Sequence, residues 1–305
     1  MSSHFNQSVI DEFRANGGKV GGYFEGGNLL LLTTTGARSG EQRTVPLGYV
    51  PHEGRLLVIG SNMGGPRHPD WYHNLMAHPL VRVEVGAESF EAVAVPAEGE
   101  RRDRLFAHVV GVEPGYGTYQ ENTPRILPVV VLERNDPAPG EGPAEVRSLA
   151  DKLVEVHVWL RGQLRHVAAE VEAYFAALPA RGNGGGAAPP APGLGLQIRQ
   201  HCLAFCQALE FHHVGEESHL FPAVEAANPH LEDVFARLRA EHVAVARLQQ
   251  QIGGLLADIS GADPERFRRE LARMAQELNA HLDHEEEALL PLLAGIPFPP
   301  GPPAA

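Results

Sequence analysis

The apolar period of this chain changes once, near residue 135, and that change dictates two separate cores of different kinds. Before it, short β-branched and apolar runs are punctuated by glycine: Asn28–Thr35, Thr44–Val50, Arg55–Gly60, Val81–Val85, Phe90–Val95 and Ile126–Leu132. Such runs predict a mostly antiparallel sheet. Helical patterns at Phe5–Ala15, Asp70–Ala77 and Glu100–Val110 precede and interrupt it, which makes the first domain α+β and a small barrel. From about Ala144 the period is 3.6, in four amphipathic stretches at roughly 145–178, 196–227, 230–258 and 264–294. Their lengths predict an all-α up-and-down four-helix bundle.

A chain of 305 residues is long enough for both cores. The expected division is a first domain over 1–134, a linker over 135–144 containing NDPAPGEGP, a bundle over 145–295, and a disordered Pro-rich tail over 296–305. Within the bundle, RGNGGGAAPPAPGLG from Arg181 to Gly195 reads as a flexible loop, and Asn228-Pro229 and Asp263-Pro264 mark the other turns. A net charge of −13 with no basic face argues against nucleic acid as a partner. The amino terminus has no basic segment followed by an apolar one, and no run of about eighteen apolar residues occurs. The expectation is a cytoplasmic protein with no transmembrane segment. Cys202 and Cys206, four apart on a helical pattern, are expected as buried thiols rather than a disulfide.

Histidine is unusually frequent, 16 in all, and ten follow residue 148. An internal echo organises them: His212-His213-Val-Gly-Glu216-Glu217 and His281-Leu-Asp-His284-Glu285-Glu286, each with a proline ten residues after its first His, at Pro222 and Pro291. On a helix, positions i and i+4 lie within about 40° of one face, so His212 with Glu216 and His281 with Glu285 each present an imidazole and a carboxylate to one point. His157 and His242 sit in apolar repeats on the other two helices. A lone core histidine is ordinarily just a satisfied core residue, and a Glu run a solvated face. Six such groups in one core are different, because each unpaired one costs about 2 to 7 kcal/mol unless a cation neutralises it. Imidazole and carboxylate donors without thiolates favour iron or manganese over structural zinc.

On these residues, 145–295 resembles a hemerythrin-like (HHE cation-binding) domain. The resemblance implies a non-haem di-iron centre ligated by His157, His212, Glu216, His242, His281 and Glu285, which binds or senses O2, peroxide, NO or iron. Oxygen-carrying hemerythrins have a second third-helix histidine where this chain has Ala246, so His213 or Glu286 is a candidate to fill in, and simple reversible oxygen carriage is disfavoured.

The first domain carries no P-loop, dinucleotide fingerprint or nucleophile elbow. Arg38, Ser39, Gly40 and Arg43 lie in a Gly-containing turn between two strands, suited to a phosphate or carboxylate tail, with an ordinary surface turn as the alternative. The ordered series FRANGGKVGG, LLLLTTTGARSGEQRTVPL, VIGSNMGG and HPDWYHNLMAHP resembles, over residues 5–133, the deazaflavin-dependent nitroreductases of actinobacteria. That resemblance implies a split β-barrel (FMN-binding-like) fold and coenzyme F420. Arg38, Ser39, Gly40 and Arg43 would then hold the coenzyme's phosphate and oligoglutamate tail, Pro46 and Leu47 would line the deazaflavin, and Ser61, Asn62, Met63, Gly64, Gly65, Trp71 and Asn74 would complete the pocket. Trp71 and Tyr72 have core packing as their alternative. Tyr116 and Tyr119 are the implied catalytic residues. A further family tyrosine is replaced here by Glu113, which argues against nitroimidazole-type prodrugs and leaves a quinone, enone or nitro compound as the expected acceptor. The competing functions are a non-catalytic redox sensor or deazaflavin carrier, or an FMN-binding split-barrel protein. A homodimer is compatible with the family.

Overall fold

The computed structural model describes residues 3–135, 142–177, 194–257 and 263–299. By compactness it forms two units, 1–136 with 177–204, and 137–176 with 205–305. Each is described on its own.

The first unit is a closed antiparallel barrel of six strands: β1 (Leu29–Thr35), β2 (Gln42–His52), β3 (Arg55–Ile59), β4 (Leu80–Val85), β5 (Glu88–Pro96) and β6 (Val129–Arg134), in the order β1-β2-β3-β6-β5-β4. This is the α+β barrel the alternating runs predict, and all six runs appear within a few residues of their expected ends. Closure comes from three rungs between β1 and β4, Leu31↔Glu84, Leu32↔Val83 and Thr33↔Arg82. Period two then sorts every strand. Leu30, Leu32, Val58, Val81, Val83, Ala92, Ala94, Val130 and Leu132 share one core cluster with Trp71 and Leu75 of α2 (Asp70–Ala77).

The opposite strand faces are covered by helices. Leu29 and Leu31 pack on Val9, Ile10 and Phe13 of α1 (Ser3–Ala15), so β1 is buried on both faces and reads as the continuous run LLLL. Val50, Leu57, Ile59, Val129 and Val131 are covered by α3 (Gly99–Val112) and α4 (Gly115–Glu121). Val93, Val95 and Leu80 pack on Ala204. Buried Gln200 donates to the carbonyls of Leu75 at 2.9 Å and Ala94 at 3.3 Å, and Arg199 donates to that of Met76 at 3.1 Å.

The four long amphipathic stretches of the second half become α5 (Leu149–Ala177), α6 (Leu194–Gly215) with α7 (Phe221–Ala227), α8 (Glu232–Leu256) and α9 (Pro264–Leu293). Ser148 and Asp151 cap each other reciprocally at the start of α5. Asp263 Oδ1 accepts from the N–H groups of Glu265 and Arg266, with Pro264 at the first helical position, so that predicted turn is also a built N-cap. A π-helical turn, Glu216–Leu220, separates α6 from α7.

Three details depart from the sequence reading. Residues 194–204, expected in the bundle, group with the barrel. Ile296–Pro299, expected in a structureless tail, return to the start of α5: Leu149 N donates to Ile296 O, and Phe298 N to Arg147 O. The third is α4, which no periodicity announces. The linker from 136 to 141, the loop from 178 to 193 and the rest of the tail lie outside the described residues. Cys202 is buried and Cys206 half-buried, neither in a disulfide, and burial pushes the Cys206 thiol up to about 12.

Gln200→Ala removes a buried donor from two carbonyls and is expected to destabilise the barrel unit by about 1 to 3 kcal/mol. Denaturant unfolding followed by Trp71 emission, in a Trp159→Phe background, measures this. An unchanged midpoint would detach residues 194–204 from the barrel's stability.

Candidate metal centre and cofactor site

In the second unit the two echoed segments meet. His157 from α5, His212 from α6, Glu216 from the π turn and Glu285 from α9 form one group whose ligand atoms lie within 4.8 Å of one another. His213, His242 and His281 form a second by the same measure. The carboxylates join them: Glu285 Oε2 is 3.5 Å from Nε2 of both His157 and His281, and Glu216 is 3.0 Å from His212 Nδ1 and 3.6 Å from His242 Nε2. All six residues singled out in the sequence are therefore brought together.

His213 is the seventh, where the sequence left a choice between it and Glu286. Its ring stacks on that of His242 with centroids 3.9 Å apart. Glu286 instead lies behind His157, 2.8 Å from Nδ1.

The donors have nothing else to bind. Both oxygens of Glu216, both of Glu285, and Nε2 of His213, His242 and His281 are buried without a hydrogen-bond partner among the described residues. Seven orphaned polar atoms in one core are untenable without a cation, so the residues fit the group the sequence implies. Burial opposes the charged form of His157, but the Glu285 and Glu286 carboxylates outweigh it and raise the pKa of that imidazole. Burial, with neighbouring imidazoles, holds His212 down to about 3 and His213 to about 2, so both are neutral ligands at pH 7. Burial and the facing Glu285 push the Glu216 carboxyl up. Burial opposes the ionised form of Glu285 as well, but the facing His157 and His212 imidazoles prevail and hold it down. A cation held here would compete with a proton for the Glu216 carboxylate.

In the first unit the candidate cofactor residues fall into two assemblies joined along α2. The β1–β2 turn is closed by Gly36 N to Glu41 O at 2.8 Å, with Gly40 in the left-handed region at φ 69°. A side chain at Gly36 would meet Ser39 Oγ at 2.5 Å. Arg38, Ser39, Gly40 and Arg43 are exposed there, with Arg43 paired to Glu41. Asn74 straps this turn to α2, accepting from Ala37 N at 3.1 Å and donating to Thr34 Oγ1 at 3.0 Å. Trp71 is buried in the barrel cluster, the packing role weighed against its pocket role.

The second assembly is the loop Ser61–Gly65. Asn62, Met63 and Gly64 are all left-handed, at φ 45°, 53° and 75°, and Met63 is exposed. Two adjacent non-glycine residues in that region are strained and must be held by their surroundings. Arg125 supplies the clamp, donating to the carbonyls of Gly60, Ser61 and Gly65 at 2.9, 2.6 and 2.8 Å and to His68 Nδ1 at 3.0 Å. Burial, then Arg125, lowers the His68 pKa, which keeps that nitrogen an acceptor. A side chain at Gly64 would lie 3.2 Å from Tyr119 O, and one at Gly48 3.3 Å from the Tyr116 hydroxyl. Tyr116 is thereby placed over β2 at Gly48, two residues along the strand from buried Pro46, while half-buried Leu47 packs on the barrel cluster. Tyr116 and Tyr119 pack edge to face at 6.1 Å.

Sequence reasoning missed Arg125, His68, Glu217 and Glu241. The doubled Glu of each echo was the available signal for Glu217. For Arg125, one cation beside a strand gave none.

A closed six-stranded antiparallel barrel with a basic turn and a clamped glycine loop, and a helical domain with a His/Glu cluster, define a fusion of a reductase-type barrel and a cation-binding bundle. Residues 6–134 match the family described as F420H(2)-dependent quinone reductase, and residues 148–293 match the hemerythrin HHE cation binding domain. The chain belongs to the F420H(2)-dependent quinone reductase family and carries a hemerythrin HHE domain after it. An F420H(2)-dependent quinone reductase of Mycobacterium tuberculosis (strain H37Rv) is 39% identical over 126 residues, 40% of this chain and 85% of that protein. A putative F420H(2)-dependent quinone reductase of the same strain is 30% identical over 103 residues, 34% of this chain and 87% of its own length. Among solved structures, an F420-H2 dependent reductase, FDR-A, is 39% identical, with 35% of this chain and 94% of that one covered at a TM-score of 0.33. Another, described as a domain-swapped dimer, is 35% identical, with 43% and 96% covered at a TM-score of 0.35. No helix among the described residues is long and apolar enough to cross a membrane.

His213→Ala is expected to weaken metal binding at least about 10-fold, read by competition with a metallochromic chelator. Wild-type affinity in that variant would remove His213 from the ligand set.

Proposed function

We propose that this chain is an F420H2-dependent quinone reductase whose HHE bundle holds a two-iron centre that binds or senses O2, peroxide or NO. The observation that carries the reductase half is the 39% identity to F420H(2)-dependent quinone reductases over 85% of their length, with the relatives' quinone chemistry as the guide to the acceptor. Reduced F420 supplies a hydride to the acceptor. Arg38 and Arg43, with Ser39 and Gly40, receive the coenzyme's anionic tail, which competes with Glu41 for Arg43. Pro46 and Leu47 line the deazaflavin, and the Ser61–Gly65 loop, held by Arg125, closes the pocket edge. Asn74 acts by fixing the basic turn, because its amide is engaged with Ala37 and Thr34. Tyr116, brought over β2 at Gly48, donates a hydrogen bond to the oxyanion that develops on the acceptor, and Tyr119 braces it. In the bundle, the seven ligands hold two ions, with Glu216 and Glu285 facing imidazoles of both groups. The thiolate-free set favours iron.

The decisive measurement mixes the full chain anaerobically with reduced F420 and menadione and follows deazaflavin absorbance. Reoxidation proportional to protein is the expected result, and Tyr116→Phe is expected to lower kcat about 100-fold without changing coenzyme affinity. Tight coenzyme binding with no turnover would make the barrel a carrier or sensor and overturn the enzymatic half.

A further inference from the structure

The histidines of the cluster differ in what stands behind them. Nδ1 of His157 is 2.8 Å from Glu286, Nδ1 of His242 is 2.8 Å from Glu217, and Nδ1 of His281 is 3.1 Å from Glu241. A carboxylate can only accept, so each of these imidazoles donates from Nδ1 and turns a lone pair on Nε2 toward the centre. The hydrogen bond also pulls the ring toward imidazolate and makes it a more basic ligand.

The three carboxylates are not equally charged in effect. Glu286 is shared with Arg161, whose Nη1 lies 2.6 Å away while Nη2 reaches Asp283 at 2.7 Å. Glu241 receives Arg237 Nε at 2.9 Å on its other oxygen, and His284 Nδ1 at 3.1 Å. Glu217 bonds no arginine among the described residues, and its only ion pair there is with His242. The group of His213, His242 and His281 therefore has two backing carboxylates, of which Glu217 has no arginine bonded to it and feels Arg239 through charge alone. The group of His157 and His212 has one, largely neutralised by Arg161. Negative charge within a few ångströms stabilises the more highly charged oxidation state of a metal.

Resting on the two-iron reading above, we infer that Glu217 and Glu241 act as positioning and tuning residues that make the His213/His242/His281 position the harder to reduce. With iron bound, the His157/His212 position would be the easier of the two to reduce. The centre is built with unequal halves, and the inequality resides in residues that touch no metal.

The test is a reductive titration of the iron-loaded full chain, with iron content measured and the two sites resolved by Mössbauer spectroscopy. Glu217→Gln and Glu241→Gln retain an acceptor oxygen but not the charge. Each is expected to keep two irons per chain and to shift the ferric-to-ferrous ratio of the harder-to-reduce iron about tenfold at fixed potential, about 59 mV upward for one electron. Arg161→Gln, which removes compensation from Glu286, is expected to lower the potential of the other iron and narrow the gap; it keeps the inference testable should a Gln variant lose metal. Unchanged potentials with iron retained, or Glu286→Gln moving the harder-to-reduce iron as far as Glu217→Gln does, would overturn this inference alone. Failure of the wild-type chain to bind iron would overturn it together with the two-iron reading.

Discussion

Two carboxylates buried in a helix bundle with no donor to receive them are the constraint from which the second unit follows. Glu216 and Glu285 are 4% and 0% exposed, with all four oxygens unpaired by hydrogen bonds among the described residues. Each ionised group so placed costs several kcal/mol, and whole domains are stable by only about 5 to 15 kcal/mol. The apolar cluster of Phe221, Phe235, Leu238, Leu289 and Leu293 offsets part of that cost, but it does not neutralise charge. A cation does. The demand explains why every long helix of the bundle contributes an imidazole, why most of those imidazoles are backed by a carboxylate, and why the π turn is present. The wider turn lets Glu216 face the cluster while its neighbour Glu217 reaches round to His242, an arrangement typical of π segments at functional sites.

The first unit solves a different problem. Its interior is filled by alternate apolar residues of all six strands. The candidate cofactor residues lie outside that core, where the β1–β2 turn, the Ser61–Gly65 loop and α4 are each tied down by one polar side chain: Asn74, Arg125 and, for α4, Arg102, which donates to Gln120 at 3.0 Å and to Leu127 O. Mobile loops become a preorganised edge through these three clamps, at the cost of keeping Asn62 and Met63 in strained backbone.

Much of this was legible in the sequence because it is written in period. Strands β1 to β6 announce themselves by alternation and β-branching, and α5, α8 and α9 by apolar positions three and four apart. The helix Gly115–Glu121 does not, since GYGTYQE has two glycines and no apolar stripe, and tertiary contacts rather than propensity hold it. The His/Glu echo located four residues of the cluster, because i and i+4 spacing is a statement about one helix. His213 is harder to see: adjacent helical residues point about 100° apart, and only a cluster broad enough for two groups lets His212 and His213 both contribute. Arg125 was invisible for another reason. Apart from His68, its partners in the loop are carbonyls, which every residue possesses, so no spacing of side chains encodes the contact.

The packing of Leu80, Val93 and Val95 against Ala204 bears on how such a chain can be taken apart. The match to the quinone reductase family ends at residue 134, and that is where a genetic cut would naturally fall. A fragment ended there would leave those apolar side chains facing water and the carbonyls of Leu75 and Ala94 without Gln200. Its outward strand would offer a sticky face to any other copy in solution. The family boundary and the boundary of the folded body thus lie some seventy residues apart along the chain, and a piece designed to behave as a monomer has to respect the second.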